Sequence, residues 1–335
     1  MTTDFDSRRF LKHDSNLTQL VLITVFIFVA MSIVSPDKFL RYYNFQSISF
    51  LFPEIGLLSI AMMIAMLTGG IDLSIIGIAN LSAILAGVYF SKTIGSDTSM
   101  SDSQQLMHVG VGVVLALGVG TLAGALNGFL ITRMRITPIL ATIGTGQLFT
   151  GFALVITGGP AITGFPKYWA EIGGGTVFGV SIPFLIFVVI ASAIAFLLSR
   201  TVFGINLMLI GTNAKAALFA GLKRDKMVFL SYMMSGVLAS MAGILLSARV
   251  NAAKSDYGTS YLLQALLIAV LGGTNPAGGK GRVLGICIAV LALMFLSSGF
   301  QIMRFSIHLI DFIFGAFLVG VIILNMVLEK RRGKS

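Results

Sequence analysis

Charge is scarce in this chain. Asp, Glu, Lys and Arg make up only 11% of its 335 residues against 56% hydrophobic, and the mean hydropathy is +0.95. Soluble domains carry about 25% charged residues. There is too little polar surface here to cover a water-soluble fold, so the composition predicts a polytopic membrane protein. Cysteine is nearly missing as well: Cys287, inside an apolar run, is the one in the sequence. A disulfide framework and a thiolate metal cluster are therefore excluded. The three histidines, His13, His108 and His308, are scattered, so their spacing assembles neither a metal site nor a histidine-based triad. No metal or cofactor is expected. Nor is the net charge of +10 a nucleic-acid signal, because the basic residues follow membrane topology.

What is present is a succession of long apolar runs. After a polar N-terminus over 1–16 come Leu17–Val34, Phe45–Leu67, Ile75–Phe90, Val109–Ile131, Pro138–Thr157 and Phe178–Leu198. Met227–Ala248, a short Tyr261–Leu271, Val283–Met303 and Ser306–Leu328 follow, with a polar C-terminal tail over 329–335. Most have the length needed to cross a bilayer. Leu17–Val34 reads as a retained helix, since Ser35-Pro36-Asp37 is no small-residue cleavage site. The reading is an all-α protein of ten transmembrane helices over 17–328. Pro53-Glu54 is expected to interrupt the second span, and the third and eighth are short. Tyr168 and Trp169 fall in an expected outer loop, where aromatic rings suit the headgroup region.

The basic residues test that count. With both termini placed in the cytoplasm of a bacterial inner-membrane protein, sixteen of the 23 Lys and Arg residues fall on the inner side. Arg133, Arg135, Lys215, Lys223 and Lys226 are among them. The other seven, including Arg41, Arg249 and Arg304, fall outside, as the positive-inside rule requires.

Two patterns concern how the spans pack. Gly112, Ala116, Gly120, Gly124 and Gly128 recur every four residues, a small-residue stripe that lets helices approach closely in lipid. Leu67-Thr68-Gly69-Gly70 precedes the short third span and Leu271-Gly272-Gly273-Thr274 follows the short eighth. Interrupted short segments in two halves point to an inverted internal repeat around a transport path. Polar residues in or at the ends of spans are candidates to line that path: Asp72, Ser74, Asn80, Asn127, Gln147 and Gln264. Interhelical packing bonds are the alternative for each. For Asp72 a helix N-cap is the simpler role. Glu54 is a carboxylate within a span and must face protein or water. Arg304, His308 and Asp311 share one helical face and are open to pairing internally, with Glu54, or with a partner.

Gly204–Lys226 is too polar to cross. Asn213 caps a helix of about two turns from Ala214, and Gly221 supplies the left-handed residue that ends it. So short a helix needs a surface to dock on. Ala214, Ala217 and Gly221 offer a small-residue side, and Leu218, Phe219 and Leu222 offer apolar anchors. An ordinary interfacial connector is the plainer alternative.

Several stretches together resemble a known family. GGIDLS at Gly69–Ser74, NGFLITRMRITPILATIGT at Asn127–Thr145 and VLGGTNPAGGKGRVLG at Val270–Gly285 are similar to the permeases of ribose-type ABC importers of sugars and polyols. Those permeases belong to the branched-chain-type permease superfamily, which includes autoinducer-2-like systems. The pattern Asn206, Gly211, Asn213, Ala214, Ala216, Ala217, Gly221 resembles the loop by which such permeases engage their ATPase. The resemblance runs from Phe45 to Leu328; Ile75-Ile76 departs from the valine–glycine pair frequent in relatives. It implies a transport subunit rather than an enzyme. The implied partners are an ABC ATPase, a second permease chain (identical or related) and a periplasmic binding protein delivering a small sugar or polyol. Glycine-rich Gly273–Gly281 is no phosphate loop, since Thr274 stands where its first glycine belongs and Gly281 where its Ser/Thr belongs. ATP hydrolysis is therefore expected from a separate chain. Two rivals remain: an ion-coupled secondary transporter, for which Glu54 and Asp311 speak, and an ABC permease for branched amino acids.

Overall fold

The computed structural model describes residues 15–94 and 100–332. Of the expected tails, 1–14 and 333–335 lie outside the described residues. The first half contains α1 (Ser15–Val34), the single turn α2 (Pro36–Phe39), α3 (Tyr42–Leu67), α4 (Ile75–Thr93), α5 (Asp102–Thr132) and α6 (Pro138–Thr157). Then come α7 (Lys167–Gly174), α8 (Ile182–Arg200), α9 (Val202–Thr212) and α10 (Ala214–Phe219). The chain ends with α11 (Arg224–Val250), α12 (Tyr261–Leu271), α13 (Val283–Ile302) and α14 (Ile307–Arg332). Among the described residues, eight helices are long and apolar enough to cross a membrane: α1, α3, α4, α5, α6, α8, α11 and α13. The all-α, polytopic expectation holds.

Helix ends follow local chemistry. Ser101 and Gln104 form a reciprocal capping box, so α5 starts seven residues before the expected Val109 and absorbs part of an expected loop. Pro138 opens α6, and Gly158 at φ 66° closes it. Pro53 does not break α3, which is continuous through it. A proline removes the N–H that would bond the carbonyl four residues earlier. That carbonyl, on Ser49, instead accepts from the Ser181 hydroxyl at 2.8 Å. Satisfying it from a neighbouring element is what lets a proline persist within a span.

α3, α4 and α11 form the enclosed centre. α11 packs most extensively on α5 and also on α3 and α4. The small-residue stripe of α5 makes the closest of these crossings. A Cβ on Gly120 would strike the Gly236 carbonyl oxygen and Ser240, one on Gly124 the Tyr232 carbonyl oxygen, and one on Gly128 Phe229. Gly112 lies instead against the Phe90 ring of α4, and Ala116 is fully buried.

We call the end of the bundle that holds Leu67, Gly211 and Gly279 the lower end. At the upper end, β1 (Ile162–Thr163) pairs antiparallel with β4 (Ala252–Ala253), and β2 (Thr176–Val177) with β3 (Val180–Ser181). Trp169 is not at an interface. It is fully buried, stacks on Phe165 at 6.0 Å and donates Nε1–H to the Ser247 hydroxyl at 3.2 Å.

One further expectation is corrected. α12 has 11 residues, about 16 Å of rise, and cannot cross alone; the segment before it makes up the distance. The two glycine turns sit at the same end of the bundle. Gly70 N–H reaches the Ala65 carbonyl and Thr274 N–H the Ala269 carbonyl, with Gly69 and Gly273 both at positive φ. They are like-handed helix ends, and they meet: Gly279 N–H donates to the Leu67 carbonyl at 3.0 Å. The break opposite Gly69–Ser74 is the stretch leading into α12.

Candidate functional site

At the lower end the loop after α8 folds as two helices rather than one. Thr201 caps α9 through Gly204 N–H. Asn213 ends α9 and caps α10, its Oδ1 accepting from Ala216 N–H at 3.0 Å. Gly221 stands at φ 78°, and Leu222 N–H closes onto the Ala217 carbonyl at 3.0 Å, a Schellman-type end. Of the small side expected to meet a partner, Ala217 turns inward while Gly221 stays exposed. Ala217 is 5% exposed while Leu218 and Phe219 are 65% and 92% exposed. Ala214 and Asn206 are half-buried and Ala216 exposed. Gly204 is wedged against Leu198.

Gly211 ties this region to the core. A Cβ there would collide with the Leu67 carbonyl oxygen and the Gly279 amide, and one on Gly278 would lie 2.8 Å from the Gly211 carbonyl oxygen. The ends of α3 and α9 and the turn after α12 thus pass one another backbone to backbone.

Directly above, the break between α3 and α4 is held by a buried polar cluster. Asp72 accepts through Oδ1 from Ser74 N–H at 3.1 Å and the Ser74 hydroxyl at 2.6 Å. Its Oδ2 accepts from the Ser235 hydroxyl of α11 at 2.7 Å. Asn127 of α5 donates to the Ser74 hydroxyl at 2.7 Å and accepts from Thr145 of α6. Asp72, Ser74, Asn127 and Ser235 are all fully buried. Asp72 is thus not the N-cap of α4, a position Ser74 holds; it binds the backbone two residues on and bridges to another helix. An unpaired buried carboxylate is expensive, and three hydroxyl and amide donors offset that cost.

The upper break is a descent. α4 and α11 run side by side, with Gly243 packed on Ala79. α11 continues seven residues past that level to Val250, about 10 Å. The chain then turns back down. The Asn80 amide donates to the Ser255 carbonyl at 3.0 Å and the Tyr257 carbonyl at 2.9 Å. Asn80 lies thirteen residues below the upper end of α4, about 20 Å. Ser255–Thr259 is therefore non-helical backbone at the depth of the spans. The start of the descent is braced by a buried ion pair, Arg249 to Glu54, with Nη2 3.0 Å from Oε2. Glu54 is 1% and Arg249 26% exposed. The partner of Glu54 is thus Arg249, not the Arg304 group.

Between the two breaks lies a half-open cavity of about 380 Å³. Leu73, Ile76 and Gly77 from the lower break line one side, Ile143, Gly146, Gln147 and Thr150 of α6 a second, and Ser255, Asp256, Thr259 and Leu262 a third. Of the six polar residues expected on a path, Gln147 is the one that lines this cavity. Asp72, Ser74 and Asn127 belong to the cluster beneath, Asn80 holds the descending loop, and Gln264 is half-buried on α12. Thr150, Ser255, Asp256 and Thr259 escaped sequence reading. The signal for Ser255, Asp256 and Thr259 was the shortness of α12, which obliges polar Asn251–Ser260 to enter the bundle, while Thr150 lies three residues after Gln147 on α6.

Non-helical backbone within a membrane is tolerated only where it is buried in protein or lines water. Discontinuous helices meeting around a mid-depth cavity are the architecture of solute transporters. The class is therefore a multi-pass membrane transport protein. Within it, residues 44–322 match the family described as branched-chain amino acid transport system / permease component, and the chain belongs to that family. It is 32% identical over 275 residues to the autoinducer 2 import system permease protein LsrD of Yersinia enterocolitica, covering 80% of this chain and 79% of that one. The proteins of the same name from Yersinia pseudotuberculosis and Yersinia pestis match at the same identity and coverage. No solved structure matches.

Proposed function

We propose that this chain is a permease subunit of an ATP-driven importer and carries a small sugar-like or polyol solute handed over by a periplasmic binding protein. Family membership and the LsrD relatives support the importer class. The single observation that carries the path is the descending loop Ser255–Thr259, pinned by Asn80 beside the 380 Å³ cavity. A second permease chain completes the path, and a separate ATPase drives it. The basic lower end faces the cytoplasm, following the distribution of Lys and Arg. There α10 presents Leu218 and Phe219 to a groove on the ATPase, while buried Ala217 seats the helix on its own chain. Movement of α10 reaches both breaks through the Gly211 crossing, because backbone contact there leaves no slack. Of the two carboxylates that speak for an ion-coupled mechanism, Glu54 is already engaged by Arg249 and Asp311 stands apart from the cavity lining, half-buried on α14.

The test is uptake by the complete complex in proteoliposomes. ATP and the binding protein together are expected to drive accumulation of a sugar or polyol, and a proton or sodium ionophore to leave its initial rate unchanged. Uptake that runs without ATP and collapses with the ionophore would sink this reading, and ATP-driven uptake of leucine alone would move it to branched amino acids.

A further inference from the structure

The cavity between the breaks is lined by a few polar groups set among apolar ones. We propose that it is a solute-recognition site within the permease itself, taking a small uncharged polyhydroxylated molecule. This rests on the transport reading above and adds to it that discrimination continues beyond the binding protein.

The chemistry of the walls carries the inference. Gln147 stands nine residues into the 20-residue α6, the middle of that helix, and is exposed to the cavity. A carboxamide facing lipid at that depth would be costly, and intramembrane polar groups face water or protein. Thr150 follows at the next turn of α6, and Asp256 and Thr259 face them from the descending loop. Together they present a carboxamide, a carboxylate and two hydroxyls. That set accepts from and donates to several hydroxyls at once, and the acceptor bonds to a carboxylate are the stronger, charge-assisted kind. Leu73, Ile76, Ile143 and Leu262 supply apolar surface between them, matching the C–H faces of a sugar or polyol. Few polar groups placed among apolar ones is the usual make-up of a small-molecule site, and 380 Å³ falls in its usual range.

Charge narrows the class further. Among the described residues, Asp256 is the one ionisable group on the wall, and Lys254 Nζ, 2.8 Å away, balances it. Among the described residues no Lys or Arg lines the cavity for a carboxylate or phosphate, which disfavours an acidic solute. A zwitterionic amino acid would need two opposed countercharges facing the lumen.

The experiment uses the full-length permease with its ATPase in proteoliposomes, carrying Cys287→Ala and either Thr259→Cys or Thr150→Cys. A hydrophilic thiol reagent is added alone or with ribose, xylose, glucose, xylitol or leucine. Both cysteines are expected to react, and at least one sugar or polyol, but not leucine, to slow both reactions. Adding Asp256→Asn is expected to raise the half-protecting concentration about tenfold, as for one lost charge-assisted hydrogen bond. Asp256→Glu, which keeps the charge, should recover part of it. Unreactive cysteines, equal rates with every solute, or protection by leucine alone would each overturn the proposal. ATP-driven sugar uptake by the unaltered complex without such protection would remove the site and keep the transport reading. Protection without ATP-driven uptake would keep the site and remove the transport reading.

Discussion

Arg249 closes on Glu54 with two hydrogen bonds across 195 residues of sequence, pinning the upper end of α11 to the middle of α3. The carboxylate is almost wholly enclosed, at 1% exposure, and the guanidinium retains 26%. Removing one member of so enclosed a pair leaves a buried charge unmatched, at a cost of about 3 kcal/mol. Glu54→Gln is expected to lower the melting temperature of the detergent-purified protein well below that of the unaltered chain. The double change Glu54→Gln with Arg249→Gln should recover much of it, since no charge is then stranded. A double variant less stable than either single one would contradict this.

Close approach of α5 to α11 makes a second expectation. A side chain at Gly124 meets the Tyr232 carbonyl and the Met233 Cα, whereas nothing stands within 4 Å of a Cβ at Gly118. Both changes to leucine suit membrane insertion, so the difference isolates packing. Gly124→Leu should cost about 3 kcal/mol or prevent folding, and Gly118→Leu should stay within about 0.5 kcal/mol. Monodispersity on size-exclusion chromatography and the melting temperature read both.

At the lower end, Gly211→Ala adds one methyl group where the Leu67 carbonyl and the Gly279 amide already meet. Either three backbone segments shift or the variant is lost. Stability is expected to fall by about 2 kcal/mol, with uptake falling further than stability accounts for, because both breaks are displaced. Normal uptake and an unchanged melting temperature would show that the crossing has room to spare.

Helix α10 separates docking from folding. Leu218→Ser with Phe219→Ser alters two exposed side chains and should leave permease stability within about 0.5 kcal/mol. Loss of two apolar anchors is expected to weaken ATPase association by about 2 kcal/mol, roughly thirtyfold, measured by co-purification. Ala217→Arg acts differently, since Ala217 is buried against its own chain. It should destabilise the permease itself. Undiminished co-purification by the Leu218/Phe219 variant would return α10 to the role of a connector.

Orientation is read from single cysteines in a Cys287→Ala background. Ser103 lies at the start of α5 at the upper end, and Lys223 just before α11 at the lower end. An impermeant thiol reagent on intact cells should label Ser103→Cys and spare Lys223→Cys. The reverse pattern would invert the bundle.

Apolar composition, span lengths and the basic-residue distribution were all legible in the chain itself, because each depends on transfer between water and lipid, residue by residue. Asn213 and Gly221 were legible for a related reason: a cap is a contact between residues three to five apart. The stripe from Gly112 to Gly128 announced a close crossing but not its partner, since any helix satisfies a small-residue face. Tertiary structure alone decided that α11 fills that role, that Glu54 meets Arg249, and that Ser181 satisfies the carbonyl freed by Pro53. It also turned Ala217 inward and Trp169 into the core. The cavity belongs to the same group. Asn80 and the Ser255 carbonyl are 175 residues apart, and the bond between them holds a polar loop at the depth of the spans. Pairings over such distances are selected by how the helices stack, which local propensity does not encode.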